Sequence, residues 1–221
     1  SKLFCLVDGN FPNHHPDPSK LHNLEDIIKE VLDTGADMGF AFDGDGDRLG
    51  LIDNKGNVIW ADRQMILYSR DILERNAGAK IVFDVKCSSL LPKDITEHGG
   101  EAIMSRTGHS FIKAKLKETG AALGGEMSGH IFFKERWYGF DDALYTGARL
   151  LEIISKTNKT CEQVFADLPN SINTPEINIH FNEQGQQFEA MDNLAKNVSF
   201  KGAQITTIDG VRVDYPDGWG L

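Results

Sequence analysis

Cysteine is scarce: Cys5, Cys87 and Cys161 are the only three in 221 residues, far apart and outside any Cys-x-x-Cys spacing. An odd, scattered set supports neither a disulfide framework nor a zinc site, so three buried thiols in a reducing cytoplasm are expected. Positive charge is also short. Lys and Arg number 23 against 33 Asp and Glu, a net charge of −10. Nucleic acid and anionic membrane surfaces would be repelled at long range, and neither is expected as a partner. No apolar run approaches the ~20 residues of a membrane helix, and no signal-peptide pattern precedes Leu3. The expectation is a soluble intracellular protein.

What the chain does have is enough apolar content, 40% against 25% charged, for one or two cores. Its most informative stretch is Phe42-Asp43-Gly44-Asp45-Gly46-Asp47-Arg48, set between the apolar runs 38–42 and 49–52. Side chains at every second position share a face when the backbone is extended, which brings Asp43, Asp45 and Asp47 together. Carboxylates about 4 Å apart repel by roughly 4 kcal/mol near a surface. A hard cation such as Mg²⁺ removes the conflict, and Gly44 and Gly46 let the backbone curl until the oxygens converge. A solvated acidic turn is the plain alternative. A calcium EF-hand needs Gly where Arg48 stands and Glu where Asn54 stands.

Residues 3–7 read as a buried strand with hardly any lead-in, as in a piece of a longer chain. The prolines of Phe11-Pro12-Asn13-His14-His15-Pro16-Asp17-Pro18 exclude helix there. Adjacent histidines seldom share one ion, so a turn or domain contact is the reading for His14 and His15. Leu24, Ile27, Ile28, Val31 and Leu32 mark a helix over 23–34, capped by Asn23 and closed by Gly35. Strand 38–42, the acidic loop and a hairpin over 49–59 follow.

Beyond Trp60, helices over 62–75, 88–97, 110–118, 141–155 and 161–167 alternate with strands at 79–85, 101–105 and 121–124. That alternation predicts an α/β fold with mixed, mostly parallel sheets and helices on both faces, followed by an incomplete α+β C-terminal unit. Leu168-Pro169 reads as a hinge. After it come a strand over 176–181, a helix over 188–196 and a hairpin over 205–215. The expected domains are 1–57, 58–169 and 170–221.

Parallel strands deliver their following loops to one edge, where ligands gather. Lys86 leaves a buried strand at a helix start, suited to an anion, although a lysine can simply end a strand. In Arg106-Thr107-Gly108-His109, Gly108 allows close backbone approach while Thr107 and His109 can donate to phosphate or sugar oxygens; helix capping explains Thr107 or Ser110 equally. In Gly124-Gly125-Glu126-Met127-Ser128-Gly129-His130, three polar side chains at every second position supply an acceptor, a donor and a titratable group.

Four separated stretches, at 11–18, 42–48, 107–109 and 125–130, together resemble the motifs of the α-D-phosphohexomutase family. The resemblance implies a multi-domain enzyme that interconverts hexose 1-phosphates and 6-phosphates, mannose and glucose phosphates among them. It implies a Mg²⁺-bound phosphoserine and a hexose 1,6-bisphosphate intermediate. Asp43, Asp45 and Asp47 would then be metal ligands, and Arg48 and His130 catalytic, one offsetting charge and the other moving a proton. Lys86, Thr107, Gly108, His109, Glu126, Ser128 and His130 would bind substrate, with Glu126 and Ser128 on the sugar O3 and O4 hydroxyls. The family's Thr-x-Ser-His-Asn-Pro nucleophile loop does not occur in this sequence. The expectation is therefore a chain inactive alone, needing the other domains of its parent. A haloacid-dehalogenase-type phosphatase with Asp43 as nucleophile, or a sugar-phosphate-binding fragment without chemistry, are the alternatives.

Overall fold

In the computed structural model of the protein, residues 1–174, 176–177 and 179–221 are described. A 3-10 turn at Leu21–Leu24 leads into helix α1, Glu25–Thr34, which stops where Gly35 adopts φ 64°. Asn23 does not cap it. Its side chain is buried and donates instead to the Asp17 carbonyl at 2.9 Å, pinning the proline-rich loop to the helix.

Strands β1 (Met38–Phe42), β2 (Leu49–Asp53) and β3 (Val58–Ile59) form an antiparallel meander. The β2–β3 pair is the hairpin expected over 49–59, and β1 joins it antiparallel because loops of six and four residues between consecutive strands are too short for a parallel crossover. Leu24, Val31 and Ile52 bury between this sheet and α1.

Next come α2 (Ala61–Arg75), β4 (Lys80–Asp84), α3 (Leu90–Glu97), β5 (Glu101–Ser105), α4 (His109–Thr119), β6 (Leu123–Gly125) and β7 (Ile131–Phe133). The sheet order is β5-β4-β6-β7, parallel except for β7, which pairs antiparallel with β6. Strand β4 is central and buried from Ile81 to Asp84, as its unbroken apolar run requires. Strand β7 has only three residues, too few for a period to register, and was not expected. Helices α5 (Ala143–Ser155) and α6 (Cys161–Ala166) complete the layer; Asp142 caps α5, and Thr160 with Gln163 forms a capping box on α6. The main core runs from Leu51 and Ile59 through Met65, Tyr68, Phe83, Leu123 and Phe133 to Phe165.

Helix α7 (Gln186–Asn197) and the antiparallel strands β8 (Gln204–Thr206), β9 (Arg212–Tyr215) and β10 (Gly218–Gly220) form the last unit. The strand expected over 176–181 is not there: residues 176, 177 and 179–181 have no regular structure, and Asn178 lies outside the described residues. Ile177 and Ile179 are 78% and 79% exposed, so the alternating pattern meets no face to bury against. The strand expected at residues 3–7 is also missing, with Leu6 and Val7 fully in solvent. An apolar run becomes a strand only beside another strand, and none of the described strands pairs with it. Cys5 is consequently exposed, so only Cys87 and Cys161 are the buried thiols expected of all three.

Candidate active site

The aspartate loop between β1 and β2 is curled rather than extended. Asp43 Oδ1 accepts the backbone N–H groups of Gly46, Asp47 and Arg48 at 3.0, 3.0 and 3.2 Å, and Asp43 Oδ2 accepts Arg48 Nε at 2.7 Å. Gly46, at φ 79°, makes the reversal that L side chains resist. One oxygen from each of Asp43, Asp45 and Asp47 then lies within 4.8 Å of the others. Arg48 also donates to Asp17 Oδ1 at 3.0 Å, which ties the proline-rich loop to this one. In that loop His14 packs edge-on against Phe4 and contacts the carbonyl of His15.

Crowding sets the charges. Burial pushes the Asp47 carboxyl up to about 6, the neighbouring Asp43 and Asp45 add to the rise, and His130 opposes it. Burial would raise Asp43 as well, but its hydrogen bonds from Arg48 outweigh that and hold it below its ordinary value. Asp47 Oδ1 is buried without a hydrogen-bond partner. These are the features of oxygens arranged for a cation, and the donor set fits Mg²⁺.

The loop after β6 lies directly against this one. Arg48 and His130 pair as an isolated antiparallel bridge, and Leu49 N–H donates to the Gly129 carbonyl at 3.2 Å. Gly129 sits at φ 107°, and a Cβ there would lie 3.3 Å from the Leu49 carbonyl oxygen. His130 Nε2 comes to 3.3 Å from Asp47 Oδ1, while Nδ1 meets Ser128 Oγ at 2.9 Å and Glu126 Oε2 at 3.2 Å. Burial disfavours the imidazolium, but Glu126 and Asp47 outweigh it and raise the His130 pKa.

The loop after β5 joins through Glu126, whose Oε1 accepts the Gly108 N–H. Glu126 is only 1% exposed, so its carboxylate orders two loops at once. His109 stacks on His130 with ring centroids 5.7 Å apart and is half exposed. In the loop after β4, Lys86 forms a 2.7 Å ion pair with Glu176.

Four residues that motif reading passed over organise the site. Asp84, fully buried at the end of β4, accepts from Cys87 Sγ and Met127 N–H on one oxygen and from Thr107 Oγ1 on the other. It holds all three loop bases, and burial raises its pKa. Asp141 lies 3.7 Å from His109 Nδ1 and 3.1 Å from Lys113 Nζ, and Ala143 N–H beside it donates to the Gly46 carbonyl. Asp209 accepts the Thr107 N–H at 2.9 Å. Arg212, 1% exposed, donates to the Val85 and Cys87 carbonyls flanking Lys86 and stacks 4.1 Å from the Trp219 ring. A charged residue closing an apolar run was a signal for Asp84; the others have none locally.

Residues 60–172 match phosphoglucomutase/phosphomannomutase alpha/beta/alpha domain III, and residues 1–56 match alpha/beta/alpha domain II of the same family. The chain belongs to the phosphoglucomutase/phosphomannomutase family. It is 59% identical over 219 residues to a phosphomannomutase/phosphoglucomutase of Pseudomonas putida, covering 99% of this chain and 47% of that protein. A phosphoglucomutase of Neisseria gonorrhoeae is 57% identical over 222 residues, covering 100% and 48%. The crystal structure of a phosphoglucomutase/phosphomannomutase family protein from Burkholderia thailandensis superposes with a TM-score of 0.92 at 52% identity, over 99% of this chain and 46% of that one. The chain thus spans about half the length of the curated relatives it matches. Among the described residues no helix is long and apolar enough to cross a membrane.

Proposed function

We propose that this chain carries the metal and sugar sites of a cytoplasmic phosphomannomutase/phosphoglucomutase that reversibly converts hexose 1-phosphates and hexose 6-phosphates. The observation that carries the reading is the direct joining of the aspartate loop to the 126–130 loop through Arg48 and His130, with Gly108 docked on Glu126. Asp43, Asp45 and Asp47 would hold Mg²⁺, which supplies charge neutralisation for a phosphoryl group in transfer. Arg48 is fixed by Asp43 and Asp17, so its charge is positioned before substrate arrives. His130 Nε2 faces the metal loop, where it can take the proton of an attacking sugar hydroxyl, and Glu126 with Ser128 fixes its Nδ1 side.

Ser128 and the exposed edge of His109 are the donors for sugar and phosphate oxygens, with Lys86 released from Glu176 for a phosphate. Glu126 reaches the sugar through the lone pairs that Gly108 and His130 leave unused. A site that reads O3 and O4 but not C2 accepts glucose and mannose phosphates alike. The serine that carries phosphate, and domains completing the phosphate site, belong to the parent chain; a hexose 1,6-bisphosphate is the turning intermediate.

Phosphorus NMR of the chain with mannose 1-phosphate, Mg²⁺ and a trace of hexose bisphosphate tests this. The expected result is no conversion by the chain alone, and 6-phosphate formation by the parent protein. Release of free phosphate would instead make Asp43 a phosphatase nucleophile.

A further inference from the structure

The chain beyond Pro169 lays two carboxylates on the loops that leave β4 and β5. Thr107 N–H donates to Asp209 Oδ2 at 2.9 Å, and Lys86 Nζ donates to Glu176 Oε1 at 2.7 Å. The other oxygen of Glu176 lies 3.9 Å from Lys20 Nζ, so one carboxylate stands between two ammonium groups. The hydrogen bond and charge of Lys86, with the charge of Lys20, hold the Glu176 pKa below its ordinary value. Both acids thus sit where a phosphate was expected, at Thr107 and at Lys86.

A carboxylate and a phosphate ask for the same partners, backbone N–H groups at a helix start and ammonium groups. An acid tethered beside such partners acts at a high effective concentration. A free anion must displace it, and the apparent affinity falls by the fraction of molecules in which the position is open. Phosphate has a third acceptor oxygen to offer, and a cation is spare beside Thr107. Arg106 lies 4.3 Å from the centroid of the Phe111 ring and, among the described residues, has neither a hydrogen bond nor an ion pair. The two acids can let go without detaching the last unit, because Arg212 separately holds the Val85 and Cys87 carbonyls.

We infer that Asp209 and Glu176 are built-in stand-ins for phosphate. They occupy the Thr107 and Lys86 positions while no substrate is present, and an arriving phosphate takes their places, so the last unit sets the phosphate affinity of the site. This rests on the reading of Lys86 and Thr107 as phosphate positions and adds to it an internal competitor.

The test titrates sodium phosphate into the ¹³C,¹⁵N-labelled 221-residue chain. NMR follows the Thr107 amide, Lys86 Nζ and the side-chain carboxyl carbons of Asp209 and Glu176. Expected are shifts at all four with one common affinity. Asp209→Asn and Glu176→Gln should each tighten phosphate at least about threefold, because more molecules have the position open. Asp217→Asn removes the same charge from the exposed turn between β9 and β10 and should change the affinity less than about 1.5-fold. Equal tightening by all three variants would mean bulk charge and overturn the inference. So would a Thr107 shift with both carboxyl carbons unmoved, weaker binding in the Asp209 and Glu176 variants, or no phosphate shift at all. The carboxyl shifts are read on the unaltered chain, so a poorly folding variant leaves the test intact. The mutase reading fails on a different result, the absence of hexose phosphate conversion by the parent protein.

Discussion

Arg48 and His130, 82 positions apart, pair backbone to backbone in an isolated antiparallel bridge. Through that bridge the antiparallel meander at the start of the chain is stitched to the β5-β4-β6-β7 sheet at the 43–48 and 126–130 loops. The two sheets therefore bring their polar loops into direct contact.

The stitch depends on Gly129. Its φ of 107° is a conformation that side chains rarely adopt, and an added Cβ would press on the Leu49 carbonyl. Gly129→Ala should lower stability by about 1–3 kcal/mol in chemical denaturation and part the two loops. The amide resonances of Leu49 and Gly129 should move together; an unchanged unfolding midpoint would contradict this.

Asp84 holds the three loop bases with no solvent contact. Asp84→Ala strands the Met127 N–H and the Thr107 hydroxyl and opens a small void, an expected loss of about 2–4 kcal/mol. Asp84→Asn keeps the volume and one acceptor oxygen, so it should cost less. If the two variants were equally stable, the hydrogen bonds would not be what Asp84 contributes.

Arg212 fastens the last hairpin to the loop that bears Lys86. Arg212→Met retains much of the stem packing but abandons two buried carbonyls, with about 3 kcal/mol lost in the docking of that unit. Hydrogen exchange should speed up in β8, β9 and β10 while β4 and β5 stay protected. Uniform acceleration throughout the chain would mean that the hairpin is no separate unit.

Much of the site was legible because its loops are short, follow apolar strands and place polar side chains at alternate positions. Thr107 to His109 and Glu126 to His130 meet as expected from a shared sheet edge. The aspartates converge by a different route, through a curl around Asp43 rather than an extended face. Asp141, Asp209 and Arg212 were not legible, because each acts on a partner from 28 to 127 positions away and carries no local pattern. Residues 3–7 show the opposite failure: an apolar run looks like a strand whether or not a neighbouring strand exists to pair with it.

Away from the metal ligands, Asp71 gives a clean pH dependence. Burial would raise its pKa, but hydrogen bonds from Arg75 and Arg149 more than offset that and lower it. A depressed carboxylate stabilises the fold above its unfolded value near 3.8, and that stability is lost as pH falls through the folded value. Asp71→Asn should therefore be about 3 kcal/mol less stable at pH 7, with the gap to wild type closing below about pH 4. A gap independent of pH would assign the loss to packing.

The central claim is that the 43–48, 107–109 and 126–130 loops are one binding site. Amide NMR of the ¹⁵N-labelled chain, titrated first with MgCl₂ and then with glucose 1,6-bisphosphate, addresses it most directly. The account predicts that Mg²⁺ saturably shifts residues 43–48 and that the bisphosphate then shifts Gly108, Ser128 and Gly129 with one common affinity that depends on Mg²⁺. Bisphosphate shifts confined to one loop, or indifferent to Mg²⁺, would contradict it.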